Sequence, residues 1–152
     1  MTLLYFHASA LVKGYVYEEG SECVAQIFVN ADHVFTCKIA FAEIMATFRR
    51  KRDELHPEVS RIDERASRFY EDWESFATID LSPGLLDVVR TQAFRHALRA
   101  LDLLHLSAAM WLRRIATTPV VLVSSDQDQL AAARRESLPV FDPEHDDPAT
   151  LV

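Results

Sequence analysis

The chain has 152 residues, of which 49% are hydrophobic and 26% charged, and its formal net charge is −7. That length suits one domain with a three-layer core, and the composition is that of a globular chain rather than a disordered one. The acidic balance excludes a broad, non-specific grip on nucleic acid, though it leaves room for a local basic patch beside an acidic site.

Leu3–Phe6 reads as a first, short apolar strand, and Ala10–Tyr17 as a short helix that breaks near Gly20. Ser21 is placed to cap a helix over CVAQIFVN. Residues 33–37, HVFTC, read as a second strand, and Lys38–Asp53 as a helix ending in a charged run. Pro57 suits the first turn of a further helix that continues through RIDERASRFYEDWESF. A short strand is expected at residues 77–81, then helices at Pro83–His96 and Leu101–Ile115. PVVLVSS, residues 119–125, is the strongest strand, followed by a helix over DQDQLAAARRES and a last strand at 139–141. This alternation, with no polar alternation in the central strand, predicts an α/β three-layer sandwich with a mainly parallel central sheet. Residues 1–143 are expected to form one domain, with 144–152 an acidic tail that frays or lies on the surface. No apolar run is long enough to cross a bilayer and no signal-type segment is evident, so cytoplasmic residence is expected. Cys23 and Cys37 lie in apolar surroundings and read as buried free thiols.

Ligands bind such sheets beyond the carboxyl ends of the strands, which puts His7 and Ser9 on one rim with Ser124, Ser125 and Asp126. Glu43 interrupts the apolar IAFAEIMA, where a carboxylate is costly unless paired, hydrogen-bonded or bound to metal. Asp102, in RALDLLHLSAAMWL, is either a site residue or a helix N-cap. His105 reads as a half-buried histidine bonded to a backbone carbonyl rather than a ligand. Asp126 and Asp128 follow the fourth strand, where a capping box from Ser125 to Asp128 is the competing explanation. The basic sets Arg49–Arg52 and Arg95, His96, Arg99 are solvated faces unless phosphates recruit them. Carboxylates gathered at one rim suit hard divalent cations such as Mg²⁺, which activate water for phosphoryl transfer.

With these residues in order, the chain resembles a PIN-domain protein of the VapC type, the ribonuclease toxin of toxin–antitoxin pairs. The family's opening, a strand followed by Asp-Thr-Ser-Ala-Leu-Val-Lys, corresponds to His7-Ala8-Ser9-Ala10-Leu11-Val12-Lys13. Ala42-Glu43-Ile44 matches the second acidic position, RALDLLHLSAA places Asp102 on the third, and VSSDQDQLAAARRESLPVFDP places Asp126 on the fourth. The resemblance spans residues 3–143. A receiver-like phosphate-handling domain is disfavoured, because no acid follows the first strand.

What the resemblance implies is an RNA-cleaving enzyme, usually dimeric, silenced by a cognate antitoxin whose C-terminal segment crosses the active site. Its cofactor would be Mg²⁺ or Mn²⁺ and its substrate RNA, with no membrane partner. Glu43, Asp102 and Asp126 would hold metal and orient water. Ser9 would bond the rim or metal-bound water, and Asp128 would be an auxiliary acid at the metal. The departure is His7, which stands where the family has a metal-binding Asp. Imidazole suits Mn²⁺, Zn²⁺ or Ni²⁺ better than Mg²⁺, so His7 as a metal ligand implies weakened Mg²⁺-dependent cleavage or a changed metal preference. It is equally compatible with a chain that keeps only a binding role, or with an inactivating exchange of Asp.

Overall fold

A computed structural model describes residues 1–54 and 61–151. Five strands, β1 (Leu3–Phe6), β2 (Val34–Cys37), β3 (Ala77–Ile79), β4 (Val120–Val123) and β5 (Val140–Phe141), form one sheet in the order β3-β2-β1-β4-β5. Every neighbouring pair is parallel. The helices are α1 (Ala8–Leu11), α2 (Ser21–Asn30), α3 (Ile39–Glu54), α4 (Ile62–Trp73), α5 (Pro83–Ala93), α6 (Ala100–Ile115) and α7 (Gln127–Arg135). Short 3₁₀ turns occupy Val12–Gly14 and Pro148–Leu151. The α/β sandwich expected from the alternating pattern is therefore present.

The apolar strands are explained by burial on both faces. Successive β1 side chains point to opposite sides of the sheet. Leu4 and Phe6 join a core built from α1 to α4, with Leu11, Val24, Ile44, Phe48 and Phe69. Tyr5 joins the opposite core, with Leu85 of α5, Leu106 and Leu112 of α6, and Ala132 of α7. In β4, Val123 faces the first core and Leu122 the second. Phe69 is fully buried against the rings of Tyr15, Phe41, Phe48 and Trp73. Truncating it to alanine would cost about 3–5 kcal/mol.

The strand order fixes where a ligand can sit. The chain runs outward from β1 through β2 to β3, then crosses to the other side of β1 for β4 and β5. The carboxyl ends of β1 and β4, paired through Phe6 and Val123, therefore flank the switch point where open α/β sheets bind ligands.

Several local expectations are corrected. The helix expected at Ala10–Tyr17 is instead a single turn, α1, followed by the 3₁₀ turn. Ser21 is the first residue of α2 rather than its cap; its hydroxyl accepts the Glu18 amide at 2.9 Å and donates to the Val16 carbonyl at 3.1 Å. The cap is Gly20, at φ 84°, where a side chain would come within 3.0 Å of the Pro143 carbonyl oxygen. That approach belongs to the C-terminal segment, which, of the two alternatives expected, lies on the surface, with residues 145–147 exposed. Leu151 packs on the core, and Glu144 accepts from the buried Lys13 at 2.7 Å. Cys37 is buried but Cys23 is only half-buried, and both are free thiols. The placement of Pro57 lies outside the described residues. Among the described residues no helix is long and apolar enough to cross a membrane.

Candidate active site

The site begins where the strands end. The His7 amide donates to the Val123 carbonyl at 2.9 Å, and the Ser124 amide to the Phe141 carbonyl at 3.0 Å, so the ladder continues one residue past β1 and β4. His7 then caps α1, its extended backbone (ψ 152°) turning into the helix while Nδ1 accepts the Ser9 amide at 3.2 Å. Aspartate is a favoured residue in that role, so imidazole here keeps the cap while changing the chemistry. Asp126 caps α7 in the same way, accepting the Gln129 amide at 2.8 Å. Glu43 projects from the first turns of α3, and Asp102 and His105 lie one turn apart on α6. His7, Ser9, Glu43, Ser125 and Asp126 line one groove, together with Lys13, Thr47, Arg50 and Lys51.

Two imidazoles organise the acids. Nε2 of His7 is 3.0 Å from Asp102 Oδ1, and Nε2 of His105 is 2.6 Å from Glu43 Oε1. The rings meet edge to face with centroids 4.6 Å apart. On the far side of His105, Nδ1 is 2.8 Å from the Tyr5 hydroxyl. Burial, with the charges of Cys37 and Glu43 adding to it, holds the Tyr5 phenol well above its usual range. Tyr5 therefore stays protonated. Burial also lowers His105 against the opposing hydrogen bond from Glu43. A neutral His105 that accepts from Tyr5 at Nδ1 carries its proton on Nε2 and donates it to Glu43.

His7 is oriented in the same manner. Its Nδ1 accepts from the Ser9 amide, and the Ser9 hydroxyl lies 2.8 Å from the same nitrogen. Ser9 Oγ in turn accepts the Ser125 amide at 3.0 Å and is 3.3 Å from Ser124 Oγ, which accepts the Asp126 amide at 3.1 Å. A chain of donors thus runs from the start of α7 through Ser124 and Ser9 to His7, whose Nε2–H donates to Asp102. The His7 hydrogen bond, opposed by burial and helped by the charge of Arg99, holds the Asp102 carboxyl below its usual range.

The donor set can be tested against a divalent ion. His7, Glu43 and His105 bring ligand atoms within 4.8 Å of one another. In the network above, however, each imidazole turns a proton, not a lone pair, toward an acid, and Nδ1 of His7 is already an acceptor. The carboxylates are different. Each has one oxygen engaged, Glu43 by His105, Asp102 by His7 and Asp126 by Gln129. Among the described residues nothing donates to the second oxygen of any of the three. Among the described residues Glu43, Asp102 and Asp126 do not bring ligand atoms within 4.8 Å of one another, so these oxygen donors, held on one side and free on the other, fit a hard divalent cation only if waters complete its shell. His7 fits as a competitor for Asp102.

Of the residues singled out in the sequence, Ser9, Glu43, Asp126 and His7 line this groove, whereas Asp102 does not line it and is tied to it only through its bond with His7. Asp128 lies on the exposed side of α7 and does not line the groove. In place of the capping box expected from Ser125 to Asp128, Asp126 alone caps the helix by accepting the Gln129 amide, and the Gln129 side chain returns no hydrogen bond among the described residues. Asp102 is not a helix cap, because Arg99 holds that position and Asp102 sits in the first turn. His105 is not half-buried and does not bond a backbone carbonyl; it is fully buried between Tyr5 and Glu43. Its place one turn after Asp102 was the available signal. Tyr5 gave none, since its hydroxyl reads as an ordinary strand aromatic. Arg95 and His96 are not a free face either: both bond Glu136, at 2.8 and 2.6 Å.

A five-stranded parallel sheet with a groove lined by Glu43 and Asp126 beside the ends of β1 and β4 defines an α/β domain of the open-sheet class. The chain belongs to the PIN-domain family, whose model matches residues 4–135. It is 30% identical over 114 residues to Ribonuclease VapC45 of Mycobacterium tuberculosis (strain CDC 1551 / Oshkosh), covering 72% of this chain and 76% of the relative. The same figures hold for Ribonuclease VapC49 of Mycobacterium tuberculosis (strain ATCC 25618 / H37Rv). Among solved structures, FitAB bound to an IR36 DNA fragment matches with TM-score 0.67 and 14% identity, over 95% of this chain and 98% of that one. VapBC2 from Rickettsia felis, bound to a DNA fragment from its promoter, matches with TM-score 0.65 and 12% identity, over 93% and 98% of the two chains.

Proposed function

We propose that this protein is a toxin-type endoribonuclease that hydrolyses RNA phosphodiester bonds with a divalent ion, Mg²⁺ or Mn²⁺, and that His7 attenuates it. The observation that carries this reading is the trio Glu43, Asp102 and Asp126, each fixed through one carboxylate oxygen with the other free among the described residues. The ribonuclease names of the relatives at 30% identity supply the substrate class.

An ion held by Glu43, Asp102 and Asp126 would lower the pKa of bound water and neutralise charge developing on the phosphoryl group. The rest of the work belongs to the chain. His105, locked by Tyr5, keeps Glu43 aimed. Asp126 stands at the start of α7, where the helix dipole favours an anion. Ser9 ties β1 to β4 and fixes the ring of His7. With water as nucleophile, no covalent enzyme intermediate forms. His7 attenuates the site by donating to the Asp102 oxygen that an aspartate at position 7 would leave unoccupied. Asp128, being exposed, is at most an auxiliary acid. The functional unit is residues 1–143, followed by the acidic tail 144–152, acting in the cytoplasm as a homodimer under a cognate antitoxin.

The test is cleavage of RNA in Mg²⁺ or Mn²⁺ by the parent, Glu43→Gln and Asp102→Asn. Loss of cleavage in both variants is expected; metal-independent cleavage that survives both would sink the mechanism. A second reading, a catalytically silent module that binds an antitoxin or RNA, is favoured by the His7–Asp102 bond. It wins if neither the parent nor His7→Asp cleaves RNA while a partner still binds.

A further inference from the structure

The four consecutive basic residues Arg49, Arg50, Lys51 and Arg52 end helix α3 and are not equivalent. Arg49 Nε is 2.9 Å from Asp53 and Arg52 Nη1 is 3.5 Å from Asp63; neither residue lines the groove. Arg50 and Lys51 do line it, on the stripe of α3 that also carries Glu43 and Thr47. Their only ion-pair partner among the described residues is Glu54, at 3.9 and 3.7 Å, too long for hydrogen bonds. Exposed contacts of this kind hold little energy and yield readily to a better anion. The other groove cation, Lys13, is already taken by Glu18 at 3.0 Å and Glu144 at 2.7 Å.

We propose that Arg50 and Lys51 form a phosphate clamp that holds the RNA backbone beside the scissile bond. The inference rests on the ribonuclease reading and adds a substrate subsite to it. Seven and eight residues beyond Glu43, the pair sits about 10–12 Å along the helix axis. That distance places it over phosphates a short way along the strand from the one being attacked, not over the reacting phosphate. A basic stripe leading into an acidic centre also reconciles an acidic chain with a polyanionic substrate, because only the local field has to be favourable. Phosphate contacts of this kind fix register and carry no base preference.

The test is equilibrium binding of a fluorescein-labelled oligouridylate to the full chain in EDTA, so that affinity is read apart from cleavage, across a salt series. Arg50→Ala/Lys51→Ala is compared with the outward-facing control Arg49→Ala/Arg52→Ala. For single strands each phosphate contact contributes a slope of about 0.7 in log affinity against log salt, so the groove pair should flatten the slope by about 1.4. The control should stay near the parent, and the groove variant should lose affinity equally for oligouridylate and oligoadenylate. Equal slopes for the two double variants would overturn the clamp while leaving the nuclease reading intact. A parent with no salt-dependent RNA affinity would overturn both. If the groove pair instead lowers affinity for poly-glutamate and leaves the RNA slope unchanged, it belongs to an acidic protein segment and the clamp is wrong.

Discussion

Changing His7 to Asp alters one hydrogen bond and the charge of the whole site. Aspartate keeps the cap on the Ser9 amide, so α1 should form as before. What disappears is the Nε2–H donated to Asp102 at 3.0 Å, between side chains only 5% and 16% exposed. In its place two carboxylates face each other with no cation between them. Loss of a charge-assisted bond in such surroundings costs about 2–3 kcal/mol. For a chain of this size, about 2–4 °C per kcal/mol makes the drop in Tm in EDTA about 4–12 °C. Metal should reverse it. A ligand at 100 times its Kd returns about 2.7 kcal/mol, so Mn²⁺ should restore the variant to near the parent while moving the parent little. Thermal melts of both proteins in EDTA, Mg²⁺ and Mn²⁺ read this directly. A variant as stable as the parent in EDTA, with no greater response to metal, would refute the idea that His7 occupies the place of an ion's ligand.

Tyr5→Phe removes the donor to His105 Nδ1 and frees the imidazole to change tautomer; metal affinity, read by Mn²⁺ binding, should fall about 10-fold with only about 1–2 kcal/mol lost in stability. Asp126→Asn should separate capping from ligation. Asparagine caps helices as well as aspartate, so Tm should hold within a few degrees while Mn²⁺ binding weakens. Stability should also fall on acidification. His105 is lowered in the folded protein by burial, so below its unfolded value of 6.5 the unfolded chain binds a proton that the folded chain refuses. The stability lost is up to about 1.4 kcal/mol per pH unit until the folded value is reached. Asp102, held down chiefly by His7, adds a further loss only below 3.8. Urea melts at pH 7.5, 6.5 and 5.5 should show the first slope, and His105→Asn should flatten it between 6.5 and 5.5; an unchanged slope would mean His105 is not the group that titrates.

The sheet was readable because each strand is an apolar run buried on both faces, and the strand order then dictates which residues reach the switch point. Glu43 stands out as a polar interruption of an apolar run and Asp126 by its place after the fourth strand, and both line the groove. The pairing of His7 with Asp102 was not readable, since 95 residues separate them and only the fold brings them together. Likewise the role of His105 depends on Tyr5, from a different element and with an ordinary side chain. The acids of the C-terminal segment look solvated in the sequence. In the structure Asp142 is buried, accepting the Glu144 amide at 3.0 Å, Gln127 at 3.0 Å and His145 at 2.9 Å. These donors outweigh burial, which pushes the other way, and keep the Asp142 carboxyl below its usual range.

On the proposed reading, Glu43, Asp102 and Asp126 make a divalent-ion ribonuclease site and His7 holds it back. The most direct measurement is RNA cleavage by the parent and by His7→Asp, each titrated with Mg²⁺ and with Mn²⁺. The expected result is weak cleavage by the parent and faster cleavage by the variant at lower metal concentration, abolished in both by Glu43→Gln. A parent that cleaves as fast as the variant at the same metal concentration, or cleavage by either protein in EDTA, would contradict it.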